Sequence, residues 1–154
     1  MSIDRRQSLN NITKSIKKFI VDGMVSDLDL KVLFGLAYTN TPQQYGKDAV
    51  RWLCVEYGDL FVNGYLANYS FNLFMYYRND EEYVGLLKLR DSVVDYFYDY
   101  SASIPNISIP LYDVNDWSII GHMRTNLGYE TGASLLSDNT ASKAIRVGLM
   151  WAVK

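Results

Sequence analysis

Along residues 65–78 the chain alternates with a period of two: Tyr65, Ala67, Tyr69, Phe71, Leu73, Met75 and Tyr77 against Leu66, Asn68, Ser70, Asn72, Phe74 and Tyr76. That period predicts a strand with its first set of side chains in a core. The second set is polar in the middle but ends in Phe74 and Tyr76, so part of the outer face is expected to be covered, by a loop or by another subunit. Residues 143–153 repeat the pattern, with Ile145, Val147, Leu149, Trp151 and Val153 alternating against Lys143, Ala144, Arg146 and Gly148. They predict a closing strand. Residues 31–38 read as a buried strand and 40–46, which include Thr41-Pro42, as a loop. Residues 49–57 read as a strand that turns at Gly58-Asp59 or at Asn63-Gly64 into the strand at 65–78.

Two segments follow the helical period instead. From Asp4 to Val21, Leu9, Ile12, Ile16, Phe19 and Ile20 form one stripe, while Arg5, Arg6, Lys14, Lys17 and Lys18 lie elsewhere around the helix. Asp4 with Gln7 suits a capping box, Lys17 and Lys18 suit the negative end of the dipole, and Gly23 suits a left-handed cap. The second helix is expected over residues 79–100, capped by Asn79 with Glu82 returning the bond. Its buried stripe is Leu86, Leu89, Val93, Tyr96, Phe97 and Tyr100, widened by Leu87 and Val94. Gly85 sits inside it at a cost of about 1 kcal/mol relative to Ala. Residues 101–110 look extended and 117–124 strand-like, and 125–142, rich in Gly, Ser and Thr, read as a long loop.

The fold class that results is α+β: an N-terminal helix, an antiparallel or mixed sheet of about four to five strands with a second helix packed on one face, and a C-terminal strand. A chain of 154 residues predicts a single domain over 1–154, with a long loop or insertion at about 101–142.

Composition narrows the function classes. Fifteen Lys and Arg against seventeen Asp and Glu leave a net charge of -2, too little positive field for a nucleic-acid backbone, so sequence-specific nucleic-acid binding is not expected. Apolar runs end within about eight residues where a bilayer span needs ~20, and Met1 leads into Asp4, Arg5 and Arg6 rather than a signal peptide, which predicts no membrane partner and a cytoplasmic site of synthesis. Three glycosylation-like triplets at Asn11, Asn68 and Asn106 are then chance matches. Cys54 is the only cysteine, which excludes an internal disulfide and a cysteine metal cluster within one chain. The thirteen tyrosines are bulky groups with polar tips, suited to strand faces and to interfaces.

Little here carries chemistry. His122 is the only histidine and lies in a strand-like stretch without any nucleophile elbow, zinc-helix motif or phosphate loop around it. The acid pairs Asp27/Asp29, Glu81/Glu82 and Asp113/Asp116 fall in a turn, at a helix start and in a loop, and the last lacks the Gly and distal Glu of a calcium loop. No catalytic residue, cofactor or metal is expected.

The order of elements, with the junction Phe74-Met75-Tyr76-Tyr77-Arg78-Asn79-Asp80-Glu81-Glu82 running from an aromatic and basic strand end into a charged helix start, resembles the tail-terminator and neck (head-tail completion) proteins of tailed bacteriophages. The family's last strand corresponds to residues 144–153. The stretch 101–142 and the tyrosine content depart from the family pattern. The resemblance implies a structural virion protein in the tail or neck, made in the host cytoplasm, that forms a ring of commonly about six subunits. Its partners would be itself, the tail tube protein and the head connector or stopper proteins. The contacts it implies are Asp59 and Asn63 in the loop 58–64, Tyr129 and Glu130 in the loop 125–142, Phe74 and Tyr76 on the outer face, and the basic helix side with Arg5, Arg6, Lys14, Lys17 and Lys18. Three other readings stand beside it: another phage assembly or baseplate component, a ligand-binding domain with a pocket of Trp52, Tyr65, Tyr69 and Phe71, and an enzyme in which His122 meets a carboxylate.

Overall fold

A computed structural model describes residues 4–35, 49–136 and 139–153. The Asp4 carboxylate accepts the Arg6 N–H at 2.7 Å and starts only a short 3-10 turn, Arg5–Gln7. The Ser8 hydroxyl then accepts the Asn11 N–H at 3.3 Å and caps helix α1, Leu9–Ile20, so Ser8 rather than Asp4 is its start. Ile12, Ile16, Ile20 and Met24 are buried along one stripe. The helical path continues through a π segment, Val21–Val25, and a last turn, Ser26–Leu28, and stops at Asp29, whose φ is 50°. Gly23 is therefore not the left-handed cap. It lies against Tyr96, whose ring carbons would stand 3.1 Å from a Cβ there.

Among the described residues the sheet has seven strands, more than the four or five expected, in an α+β fold: β1 Lys31–Phe34, β2 Arg51–Asn63, β3 Leu66–Arg78, β4 Ser108–Asp113, β5 Ser118–Glu130, β6 Ser134–Leu135 and β7 Thr140–Ala152. Their order is β1-β2-β3-β7-β5-β4, with β6 beside β7. Only β1 and β2 run parallel. The expected end of the first strand and the loop at 40–46 lie outside the described residues. The extra strands come from 101–142, which is no insertion: it holds β4, β5 and β6, and most of the stretch read as a loop belongs to the sheet.

Gly58-Asp59 does not turn the chain. β2 runs through it with a bulge between Tyr57 and Leu60, which brings both of those side chains to the core face opposite Phe71 and Tyr69. A Cβ at Gly58 would stand 2.2 Å from the Ser70 carbonyl oxygen, so the bulge admits only glycine there. The turn is Gly64-Tyr65, with φ 61° at Gly64 alone of the two, the pattern of a type II′ hairpin.

The second helix is also shorter than its stripe suggested. Asn79 and Tyr83 adopt φ values of 55° and 62°, so residues 79–83 form a turn, and helix α2 is Val84–Val94. Its cap is the Asp80 carboxylate, which accepts the N–H groups of Gly85 at 3.2 Å and Leu86 at 2.7 Å. After Val94 the chain turns so that Phe97 and Tyr98 are buried while Tyr100 is exposed.

Both helices cover the same sheet face. Ile12, Ile16, Leu86, Leu89, Val93 and Phe97 join Leu53, Val55, Phe71, Leu73, Ile145, Val147 and Leu149 in one cluster. The Thr125 hydroxyl ties the layers by donating to the Phe97 carbonyl at 2.7 Å while accepting the Ile107 N–H at 3.0 Å. The indole Nε1–H of Trp151 donates to the Arg6 carbonyl at 2.8 Å and fastens the first segment to the last strand.

Candidate interaction surface

The other sheet face is banded, and the strand register fixes the order of the bands. At one end Trp52, Cys54 and Tyr76 form a small second core with Ala49, edged by Leu33, Phe74 and Leu136. Trp52 and Tyr76 stack with ring centroids 5.2 Å apart at 14°. The expected cover over Phe74 and Tyr76 thus comes at least in part from this chain itself. Tyr76 is fully buried and presents nothing to a neighbour, and Phe74 is half-buried.

Next along the strands comes a polar ladder. The Asn72 amide donates to Glu56 at 3.1 Å and accepts from Arg146 at 3.2 Å, joining β2, β3 and β7. Beyond it Ser70, Gly148 and Asn126 stand side by side on β3, β7 and β5. A Cβ at Gly148 would approach the Asn126 carbonyl oxygen to 3.1 Å, so this row is low. The low row is the floor of a shallow cleft of about 230 Å³ lined by Asp59, Phe61, Asn68, Asn126 and Met150 among others. The next row, Phe61, Asn68, Met150 and Arg124, crosses four strands and sets two large apolar groups among polar ones, and Leu66 lies one row further on. Phe61 is 65% exposed and Tyr65, at the hairpin tip, 70%. Val62 and Leu66 are exposed there too.

The residues singled out for contacts fall into two groups. Asp59, Asn63 and Tyr129 are exposed, as are Lys14 and Lys17, the latter lying 5.1 Å above the Phe34 ring. The rest are largely engaged within the chain. Arg5 bonds the buried Asp113 carboxylate at 3.2 Å, and the Arg6 Nε–H donates to the Ile120 carbonyl at 2.9 Å. Lys18 pairs with Asp22 at 2.7 Å, which raises its pKa. Glu130 receives Arg90 at 2.7 and 3.0 Å and Lys143 at 3.1 Å. The Arg90 guanidinium, helped by Lys143, holds the Glu130 carboxyl below its ordinary 4.5. The basic helix side is therefore not one continuous field: Arg5 and Lys18 are held in ion pairs and Arg6 by a backbone carbonyl, while Lys14 and Lys17 are exposed.

The alternative sites do not assemble. Tyr69 and Phe71 are buried in the main core, Trp52 belongs to the second core on the opposite face, and Tyr65 is at the hairpin tip, so these four line no common pocket. Burial lifts the Tyr69 phenol to about 12, and its oxygen accepts the Gly58 N–H at 3.1 Å, which marks a structural role at the bulge. His122 is exposed on β5 opposite Pro110. Asp27 accepts the Tyr96 hydroxyl at 2.8 Å, and Asp116 accepts the Ser118 N–H and hydroxyl at 3.0 and 2.7 Å. Among the described residues no helix is long and apolar enough to cross a membrane.

The exposed tip of β2–β3 has no signature in the sequence, because Phe61, Val62 and Leu66 carry no polar motif. Their exposure depends on where the hairpin projects, which no local spacing records.

No protein-family model matches the chain, and no curated protein matches it. One solved structure superposes over 94% of this chain and 95% of its own, with a TM-score of 0.59 and 11% sequence identity. Its name states no activity or partner, and at that identity the likeness is one of fold.

Proposed function

We propose that the chain is a structural protein of a tailed bacteriophage, a tail-terminator or neck subunit that forms a ring, commonly of about six copies, over the end of the tail tube and joins it to the head connector. The observation that carries this reading is the outer sheet face, towards whose end Phe61, Leu66 and Met150 are exposed, with Tyr65 exposed at the adjoining hairpin tip. Large apolar groups gathered on an exposed rim favour a protein contact. The element order, helix before a hairpin-bearing sheet and a closing strand, supports the same family. In this reading the protein is no enzyme and holds no cofactor. It works by shape: the stiff sheet sets the subunit's width and the hairpin tip meets the tube.

The test is light scattering and negative-stain microscopy of the purified chain, alone and with a candidate tail tube protein. Rings, and tubes capped at one end, are the expected result. A protein that stays monomeric and leaves tube ends bare overturns the proposal.

A further inference from the structure

Among the described residues both flanks of the sheet are unpaired over part of their length. β1 covers β2 only from Trp52 to Val55, so from Glu56 to Asn63 β2 pairs with β3 alone among the described residues. On the far flank β4 covers β5 only as far as Arg124, and from Asn126 through β6 the chain pairs with β7 alone.

The two unpaired stretches sit at opposite heights. β1 lies at the Trp52 end of the sheet, level with Tyr76 and Ser142, and β4 at the Phe61 end, level with Asn68 and Met150. Each flank is therefore a step, and one step is the complement of the other: β4 of one copy can stand above the hairpin tip of the next, whose β1 stands below the end of β5. Polarity agrees. β2, β3, β7 and β5 are successively antiparallel, so β2 and β5 run in opposite directions, and β2 of a second copy laid on β5 continues the alternation.

The side chains on these flanks suit contact as well. β2 exposes Phe61 and Val62, one on each face, and the other flank exposes Tyr129 and Leu135. The side chains of Asp59 near the first flank and Arg124 near the second make no hydrogen bond or ion pair among the described residues. From Glu56 to Asn63 this edge carries no Lys and no Pro; its bulge and its two carboxylates, Glu56 and Asp59, lie at 56–60, which leaves Phe61 to Asn63 uncharged.

We infer that a second copy of this chain occupies these flanks, head to tail, with the β2 flank of one subunit adding to the β5–β6 flank of the next so that one sheet runs through the assembly. This inference rests on the ring reading above and gives that ring its joint. A head-to-tail contact uses two different surfaces, so each copy keeps one flank of each kind open until the ring closes.

The experiment first measures the mass of the wild-type chain by light scattering, alone and with tube protein, and then that of Phe61→Lys and of Leu135→Lys. Circular dichroism and the melting temperature check that both variants are folded. Single variants Asp59→Cys and Tyr129→Cys are next treated with a short bismaleimide, separately and mixed; Cys54 is buried and stays silent. The expected result is a wild-type ring, at least a tenfold loss of assembly in each lysine variant, and cross-linked dimers only when the two cysteine variants are mixed. Wild-type rings that persist in both lysine variants overturn the edge joint and leave the ring reading standing. Cross-linking of either cysteine variant with itself overturns the head-to-tail arrangement. A monomeric wild-type chain, with or without tube, overturns the ring reading and the joint together.

Discussion

Gly85 lies flat against the ring of Tyr77: a Cβ at Gly85 would stand 2.6 Å from Cζ and within 2.8 Å of both adjacent ring carbons. Helix propensity alone favours alanine there by about 1 kcal/mol. The ring is half-buried against the core and cannot swing aside like the end of a flexible chain, so overpacking of about 1–3 kcal/mol opposes that gain. Gly85→Ala is expected to lower stability by up to about 2 kcal/mol in a urea titration. In a Tyr77→Ala background the same change should become neutral or stabilising. A stabilised Gly85→Ala single variant would show that the ring yields.

Asp80 is the cap of α2 because one carboxylate accepts two N–H groups that the first turn leaves without partners. Asp80→Ala should cost about 1–2 kcal/mol, and Asp80→Asn less, since the amide oxygen still accepts. Asn79→Ala, at the residue the sequence pattern favours as the cap, should not show this loss of helix-cap hydrogen bonds. Amide exchange at Gly85 and Leu86 separates the two sites.

Thr125 is buried with its hydroxyl as donor to Phe97 and acceptor from Ile107. Thr125→Val keeps the shape and leaves a buried carbonyl and a backbone N–H without their partner, a loss of roughly 1–3 kcal/mol. Thermal or denaturant unfolding reads it directly, and Thr125→Ser should retain most of the stability.

Glu130 links α2 to β5 and β7 through Arg90 and Lys143. Its carboxyl pKa is lowered in the folded chain, chiefly by the Arg90 hydrogen bonds, so the folded state favours the ionised form. The stability this adds is complete above the ordinary 4.5 and is lost as pH falls through the lower folded value. The stability gap between wild type and Glu130→Gln should be constant from neutral pH down to about 4.5 and shrink in more acid solution. Denaturant midpoints taken along that range check it, and a gap independent of pH would assign the effect to packing.

The parts of the fold legible in the sequence are those where one face is buried along a whole element. β3 and β7 pair with each other over their full length and bury every second residue, so their period of two is clear in Tyr69, Phe71 and Leu73 and in Ile145, Val147 and Leu149. The stripe of α1 is clear for the same reason. β5 beyond Arg124 and β6 are different: they lie at the open flank, with Asn126, Gly128 and Tyr129 exposed, and their backbone pairing with β7 leaves no apolar rhythm to read. Gly58 was ambiguous because a bulge and a turn both call for glycine, and only the Ser70 carbonyl opposite decides between them. For the candidate surface, exposed and engaged charges look alike in a sequence. Arg5 and Glu130 are tied to Asp113 and Arg90, which lie 108 and 40 residues away along the chain.

β7 lies in the middle of the sheet yet is made after every other strand. While a ribosome is still short of Thr140, the β1-β2-β3 group and the β4–β5 pair have no strand between them, and the core has neither Ile145 nor Leu149 to close on. Trp151 and its bond to Arg6 come later still. Folding of this chain is therefore a late, long-range event. A nascent chain carries two unfinished half-sheets, and a continuous face exists only once the final strand has slid between them.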